Sequence, residues 1–179
     1  MKTTNILIAG FGGQGVLFAG KFLAYGGLML EKQVSWLPSY GPEMRGGTAN
    51  CSVILSDTPV GSPIVVEPDI LVAMNLPSFQ KYQPAVKPGG VLLLDATLIA
   101  QKPDRTDVTV FAVPATGMAK DAGLTSLANM ILAGKLLREC LPELSAVSEK
   151  AIQKVVPPRK AQLIEANQKA VALGQAYEG

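Results

Sequence analysis

The sequence predicts an α/β domain, with a Rossmann-like, mostly parallel sheet carrying helices on both faces and further helices closing the chain. Three observations point there. Short apolar runs of strand length recur from Asn5 onward, each bounded by glycine, proline or aspartate. Helix-length apolar stretches and turn signals alternate with them, as crossover connections between parallel strands require. The last third lacks such runs and shows helical periodicity instead.

The elements follow in order. Asn5 to Ala9 is a short apolar run ending at a glycine, the pattern of a buried parallel strand. Gly10 to Gly15 is a glycine-rich turn, and Val16 to Leu30 is apolar at nearly every position, as in a buried helix. Gln33 to Leu37 reads as a second strand. Thr48 to Leu55 reads as a third, with Cys51, Val53 and Leu55 sharing a face by period two. Asp57, Pro59, Gly61 and Pro63 make the next stretch a connection. Asp69 to Met74 is a strand leading into a helix near Pro77 to Val86, and Lys87-Pro88-Gly89-Gly90 is a turn. Val91 to Asp95 and Val108 to Val113 are the last two strands. The helix expected over Ser126 to Cys140 has Leu127, Met130, Ile131, Gly134, Leu137 and Leu141 on one face. A short helix around Ser148 to Val155 and a longer one over Lys160 to Tyr177 flank the pair Pro157-Pro158. No repeat divides the sequence, so residues 1–179 are expected to be one domain, with the helix over 158–179 a candidate for packing on a partner.

Composition narrows the function. Charged residues make up 17% of the 179, against roughly 25% in ordinary soluble domains. Missing charged surface is what an apolar interface with partner subunits leaves behind, though a compact domain rich in alanine and glycine shows it too. A net charge of +2 without a dense basic run gives no footprint for nucleic acid. The apolar runs are too short to span a bilayer, and the first residues lead into a strand rather than a signal peptide, so a cytoplasmic location is expected. There is no histidine and there are two cysteines, Cys51 and Cys140. That excludes histidine triads, the usual zinc ligand sets and a self-contained iron–sulfur cluster.

Gly10-Phe11-Gly12-Gly13-Gln14-Gly15 has the G-x-G-x-x-G spacing between strand and helix. Backbone amides of Gly12, Gly13, Gln14 and Gly15 at a helix N-terminus suit an anion. The same glycines could serve only close packing, but a packing turn has no need of the Gln14 amide. A dinucleotide site also wants an acid at the end of the second strand, which here runs Trp36-Leu37-Pro38-Ser39, with Glu31 ahead of it. Gly15 to Lys21 matches G-x-x-x-x-G-K, yet Phe22 follows where magnesium coordination needs a hydroxyl, so an ATPase is rejected.

The most specific segment is Ser39-Tyr40-Gly41-Pro42-Glu43-Met44-Arg45-Gly46-Gly47. Tyr40, Glu43 and Arg45 sit together in a loop by composition, where binding residues concentrate. Glu43 and Arg45 can pair, face solvent or meet a ligand, and a guanidinium between glycines can fork onto a phosphate or carboxylate. Thr116 and Gly117 follow the last strand, where parallel sheets place ligand loops. Asn129 reads as a tie between helix and loop rather than a ligand contact.

Taken together, Gly-x-Gly-Gly-Gln-Gly-Val, the Ser39–Gly47 motif, Ala49-Asn50-Cys51-Ser52-Val53, Ser56 to Pro63 and Ala128-Asn129-Met130 resemble the gamma subunit of 2-oxoacid:ferredoxin oxidoreductases, over roughly Asn5 to Leu173. The resemblance implies a subunit that is not active alone. The assembled enzyme decarboxylates a 2-oxoacid on thiamine diphosphate, transfers the acyl group to coenzyme A and passes electrons through iron–sulfur clusters to ferredoxin. Thiamine diphosphate, with magnesium, belongs between alpha and beta partners, and the clusters to beta or a separate delta subunit. The gamma domain helps form the coenzyme A side of the site. On this reading Gly12–Gly15 make an anion-binding wall, Tyr40, Glu43 and Arg45 shape its entrance or lock onto a partner chain, and Thr116 and Gly117 border the same crevice. The alternatives are a free-standing NAD- or FAD-binding oxidoreductase and the beta subunit of an indolepyruvate enzyme.

Overall fold

The computed structural model describes residues 2–40 and 48–179. Six strands form one sheet: β1 (Thr3–Phe11), β2 (Gln33–Tyr40), β3 (Thr48–Ser56), β4 (Ile70–Ala73), β5 (Val91–Asp95) and β6 (Thr109–Val113). Their spatial order is β2-β3-β1-β4-β5-β6. β1, β4, β5 and β6 run parallel, whereas β3 is antiparallel to both of its neighbours. The sheet is therefore mixed on one side. Four of the six strands pair in parallel, in keeping with the mostly parallel sheet the sequence suggested; residues 41–47 are too few for a crossover, which takes roughly a dozen residues or more, so β2 and β3 pair directly.

Helices cover both faces. α1 (Val16–Met29) lies over β1, β2 and β3, while α2 (Leu76–Tyr82), followed by a 3₁₀ turn at Gln83–Ala85, lies over β1 and β4. The strands divide their side chains accordingly. Ile6 and Ile8, Ile70 and Val72, and Leu93 point into the larger core beneath α1. Leu7, Leu71 and Ala73, Leu92 and Leu94 point into the smaller core around Phe79. Cys51, Val53 and Leu55 share the larger core as the period-two reading expected.

The rest of the chain is helical: α3 (Ala115–Asp121), α4 (Ala128–Glu139), α5 (Pro142–Ser145), α6 (Ser148–Val155) and α7 (Ile164–Ala176), the last entered through a 3₁₀ stretch at Pro158–Leu163. α4 is the hub of this layer, with Met130, Ile131, Leu132, Leu136 and Leu137 all buried. α7 packs on α4 of its own chain. The crossing is close because Gly134 and Gly174 face the opposing backbone, and a Cβ at Gly174 would overlap the Ile131 carbonyl. Two cations of α4 hold the end of α7. Lys135 Nζ donates to the Tyr177 carbonyl at 2.9 Å and pairs with Glu139 at 2.9 Å, and Arg138 donates to the Gln175 carbonyl at 2.8 Å.

Backbone cannot yield as a side chain can. Gly174→Ala is therefore expected to cost about 3 kcal/mol, the upper part of the overpacking range, and to lower the thermal midpoint by roughly 6–12 °C in a calorimetric scan.

Candidate functional site

The chain moves from β1 outward to β2 and β3, then returns past β1 to β4, so the order reverses between β1 and β4. With α1 on one face and α2 on the other, the carboxyl ends of those strands open a crevice, the place where open α/β sheets hold ligands. A cleft of about 340 Å³ lies there. Its floor and sides come from Met74, Leu98, Ala119 and Ala128, and its polar groups from Gly13, Gln14, Thr116, Lys120, Thr125 and Ser126. Ser126 has φ 79°, a left-handed conformation that costs a non-glycine residue energy and recurs at ligand sites. That conformation also delays the start of α4 from the expected Ser126 to Ala128.

The glycine turn forms one wall. Gly13 at φ 94° and Gly15 at φ 76° adopt backbone angles that suit glycine, and Gly15 is the N-terminal cap of α1. A Cβ at Gly13 would meet nothing, so this residue fronts open space, and Gly12 is exposed. Among the described residues no side chain caps α1 and no acid lies in its first turn. Its leading N–H groups thus have no side-chain partner.

Gln14 holds the turn in shape. Its Oε1 accepts from the Phe11 N–H at 2.6 Å, and its Nε2 donates to the Met74 carbonyl at 3.0 Å. One carboxamide thus bridges the ends of β1 and β4 across the point of reversal. Asn129, fully inside, donates from Nδ2 to the Gly15 carbonyl at 3.0 Å, the tie between helix and loop that the sequence suggested.

The opposite wall is α3. The sequence reading took Thr116-Gly117-Met118 for a loop, but these residues open a helix. The reason is tertiary. Asp95, completely buried at the end of β5, accepts from the Thr116 hydroxyl at 2.6 Å, the Thr116 N–H at 3.3 Å and the Thr97 N–H at 3.1 Å. Thr97 Oγ1 in turn accepts from the Gly117 N–H at 3.0 Å. A carboxylate from a neighbouring strand thus does the capping that no residue next to the helix does. Asp95 was missed as a site residue; its one sequence signal was a carboxylate ending the apolar run Val91-Leu92-Leu93-Leu94.

Of the remaining expected site residues, Tyr40 ends β2 with its backbone opposite Ala49. Glu43 and Arg45, with the whole stretch 41–47, lie outside the described residues. The flanks of that stretch are placed, because Thr48 pairs with Phe11. The flanks of the motif, Tyr40 and Thr48, therefore lie at the same edge of the sheet as the glycine turn, with β3 between β1 and β2. This arrangement also weighs against a dinucleotide site. The ribose-binding acid of that design ends the strand beside β1, and here that neighbour is the antiparallel β3, which begins at this edge.

Neither thiol is poised as a nucleophile. Burial pushes Cys51 up to about 12, against weaker pulls from the Trp36 indole and the Gly20 backbone. Burial pushes Cys140 up to about 11, with the Glu139 charge adding to it. Among the described residues no three of His, Cys, Asp and Glu gather as a metal site, and no helix is long and apolar enough to cross a membrane.

Two expected outcomes follow from this geometry. Gln14→Glu keeps the contact to Phe11 but sets an oxygen against the Met74 carbonyl, so stability should fall by about 1–3 kcal/mol in denaturant titration. Near pH 8 both thiols should react with a disulfide reagent at least roughly a hundredfold more slowly in the folded chain than in denaturant, because two units of pKa remove that much thiolate.

Comparison with known proteins places this geometry. The family model described as pyruvate ferredoxin/flavodoxin oxidoreductase matches residues 5–177. The ketoisovalerate oxidoreductase subunit VorA of Methanothermobacter thermautotrophicus is 37% identical over 173 residues, 97% of this chain and 36% of that one. The chain thus spans about a third of the length of that relative. The keto/oxoacid ferredoxin oxidoreductase gamma subunit from Geobacter sulfurreducens superposes with a TM-score of 0.84 at 30% identity, over 97% of this chain and 95% of that one. A 2-oxoglutarate:ferredoxin oxidoreductase from Magnetococcus marinus, solved with 2-oxoglutarate, coenzyme A and succinyl-CoA bound, has a TM-score of 0.84 at 22% identity. It covers 98% of this chain and 31% of that one, and shares the fold.

Proposed function

The chain belongs to the pyruvate ferredoxin/flavodoxin oxidoreductase family, and from that premise we propose that it is the gamma subunit of a 2-oxoacid:ferredoxin oxidoreductase and supplies one wall of the coenzyme A site. The assembled enzyme converts a 2-oxoacid and coenzyme A to the acyl-CoA and carbon dioxide, and ferredoxin takes up the electrons. Alpha, beta and, where present, delta subunits are the partners. They hold thiamine diphosphate, magnesium and the iron–sulfur clusters; this chain has two cysteines and no histidine, and among its described residues no three metal-ligating side chains gather. The complex works in the cytoplasm.

The observation that carries the reading is the open glycine wall at the switch point. Gly13 and Gln14 line a cleft that, among the described residues, has no acidic residue in its lining, and they precede an uncapped helix N-terminus. Such a surface favours phosphate. Gln14 acts by fixing the turn, since both ends of its amide are committed to backbone. Thr116 and Gly117 border the same cleft. Tyr40, Glu43 and Arg45 shape its entrance or lock onto a partner, a role supported by the placement of Thr48 next to Phe11. Magnetococcus marinus supplies a related fold with coenzyme A bound, which supports the same ligand here. Nothing in the cleft is arranged to act on the substrate as acid, base or nucleophile, so the chain contributes binding and assembly while chemistry proceeds on its partners.

Gly13 offers a clean test. Asparagine and aspartate both tolerate its left-handed backbone and differ in charge. In the assembled enzyme Gly13→Asp should raise the Michaelis constant for coenzyme A at least about tenfold more than Gly13→Asn, an electrostatic cost of roughly 1.4 kcal/mol. Equal constants for the two variants would remove the anion site from this turn.

A further inference from the structure

The two walls of the crevice differ in hydrogen-bonding sense. On the glycine wall the open groups are donors. The tip of α3 offers none where a donor would be expected. The Thr116 N–H and hydroxyl are both committed to Asp95, and the Gly117 N–H is committed to Thr97. Thr116 lines the crevice with its hydroxyl hydrogen turned inward, so its oxygen has only lone pairs to give. Asp95 enforces this orientation. It is fully buried, and among the described residues no cation pairs with it, so its charge rests on the donors just named. One helical turn further on the same face stands Lys120, exposed and lining the same cleft. Positions four apart on a helix lie about 5–6 Å from each other.

We propose that Asp95 makes Thr116 an acceptor that receives a hydroxyl donor of the ligand, while Lys120 takes the phosphate next to that hydroxyl. This rests on the coenzyme A reading above and sharpens it into a specific polarity: donor from the ligand at the α3 tip, phosphate one turn along. Coenzyme A carries that pair of groups twice, as the pantoyl hydroxyl near the diphosphate and as the ribose hydroxyl beside the 3′-phosphate. Asp95 is a positioning residue in this scheme, because it acts through Thr116.

Asp95→Asn is the test, performed in the assembled enzyme. The amide oxygen can still accept from the Thr97 and Thr116 N–H groups. Its NH₂ now donates to the Thr116 hydroxyl and turns that hydrogen into the crevice, against the ligand's own donor. The Michaelis constant for coenzyme A should rise about tenfold while that for the 2-oxoacid stays in place, a split that general loosening of the fold would not produce. Lys120→Glu, at an exposed position, should raise the same constant at least as much and decides the matter should Asp95→Asn not assemble. Lys120→Ala assayed with coenzyme A and 3′-dephospho-coenzyme A then separates the two sources. Loss of discrimination between them assigns the ribose hydroxyl, and equal weakening assigns the pantoyl hydroxyl. If Gly13→Asp impairs coenzyme A binding but Asp95→Asn and Lys120→Glu do not, the polarity proposal fails and the coenzyme A reading stands. If all three leave the constant unchanged, the coenzyme A reading fails as well.

Discussion

One side-chain amide holds the arrangement together. Gln14 accepts from the end of β1 and donates to the end of β4, the two strands between which the sheet changes direction. Without that bridge the crevice would be bounded by a turn of glycines, whose backbone freedom is large. With it, Gly13 and Gly15 are fixed at their positive φ values, α1 begins at a set position, and Gly13 and Gln14 line a cavity of defined shape. Asn129 adds a second clamp from α4 to the Gly15 carbonyl, so the helical layer and the sheet meet at the same turn.

The same logic governs the other wall. Asp95, Thr97 and Thr116 form a closed set of hydrogen bonds that fixes α3 against β5. Around this crevice Gln14, the Asn129 Nδ2 and Asp95 are turned toward the protein's own backbone and hydroxyls. Groups so committed position a ligand well and transfer protons poorly.

Legibility from sequence followed the range of the interactions. β1, α1, β5 and α6 announced themselves because hydrophobic period and local turn residues decide them. Glycine spacing placed the first wall, and Asn129 was read correctly because a polar residue within an apolar helical stripe must find a partner. What escaped notice depended on distant parts of the chain. α3 looked like a loop because its cap comes from Asp95, twenty-one residues earlier and on another strand. β3 lying between β1 and β2 was hidden because a strand's direction is set by its connection and not by its composition. Gln14 was seen as a residue with a purpose, but its purpose was assigned to a ligand, since no local pattern reveals the Met74 carbonyl sixty residues away.

The Ser39–Gly47 motif, where the sequence concentrates its reactive side chains, gains meaning from these neighbours, with Ser39 and Tyr40 in β2 rather than in a loop. It joins β2 to β3 at the edge where Phe11 pairs with Thr48, so its ends are fixed beside the glycine turn. Phe11 and Leu98, both over a third exposed, add apolar surface at that edge. A phosphate-favouring wall, an acceptor at Thr116, a cation at Lys120 and an apolar rim make half of a binding site. On the proposed reading the partner subunits supply the other half, a cover for the apolar rim and the groups that do the chemistry. The low charged content noted at the outset fits the same reading, because a surface covered by another polypeptide gains little from charge.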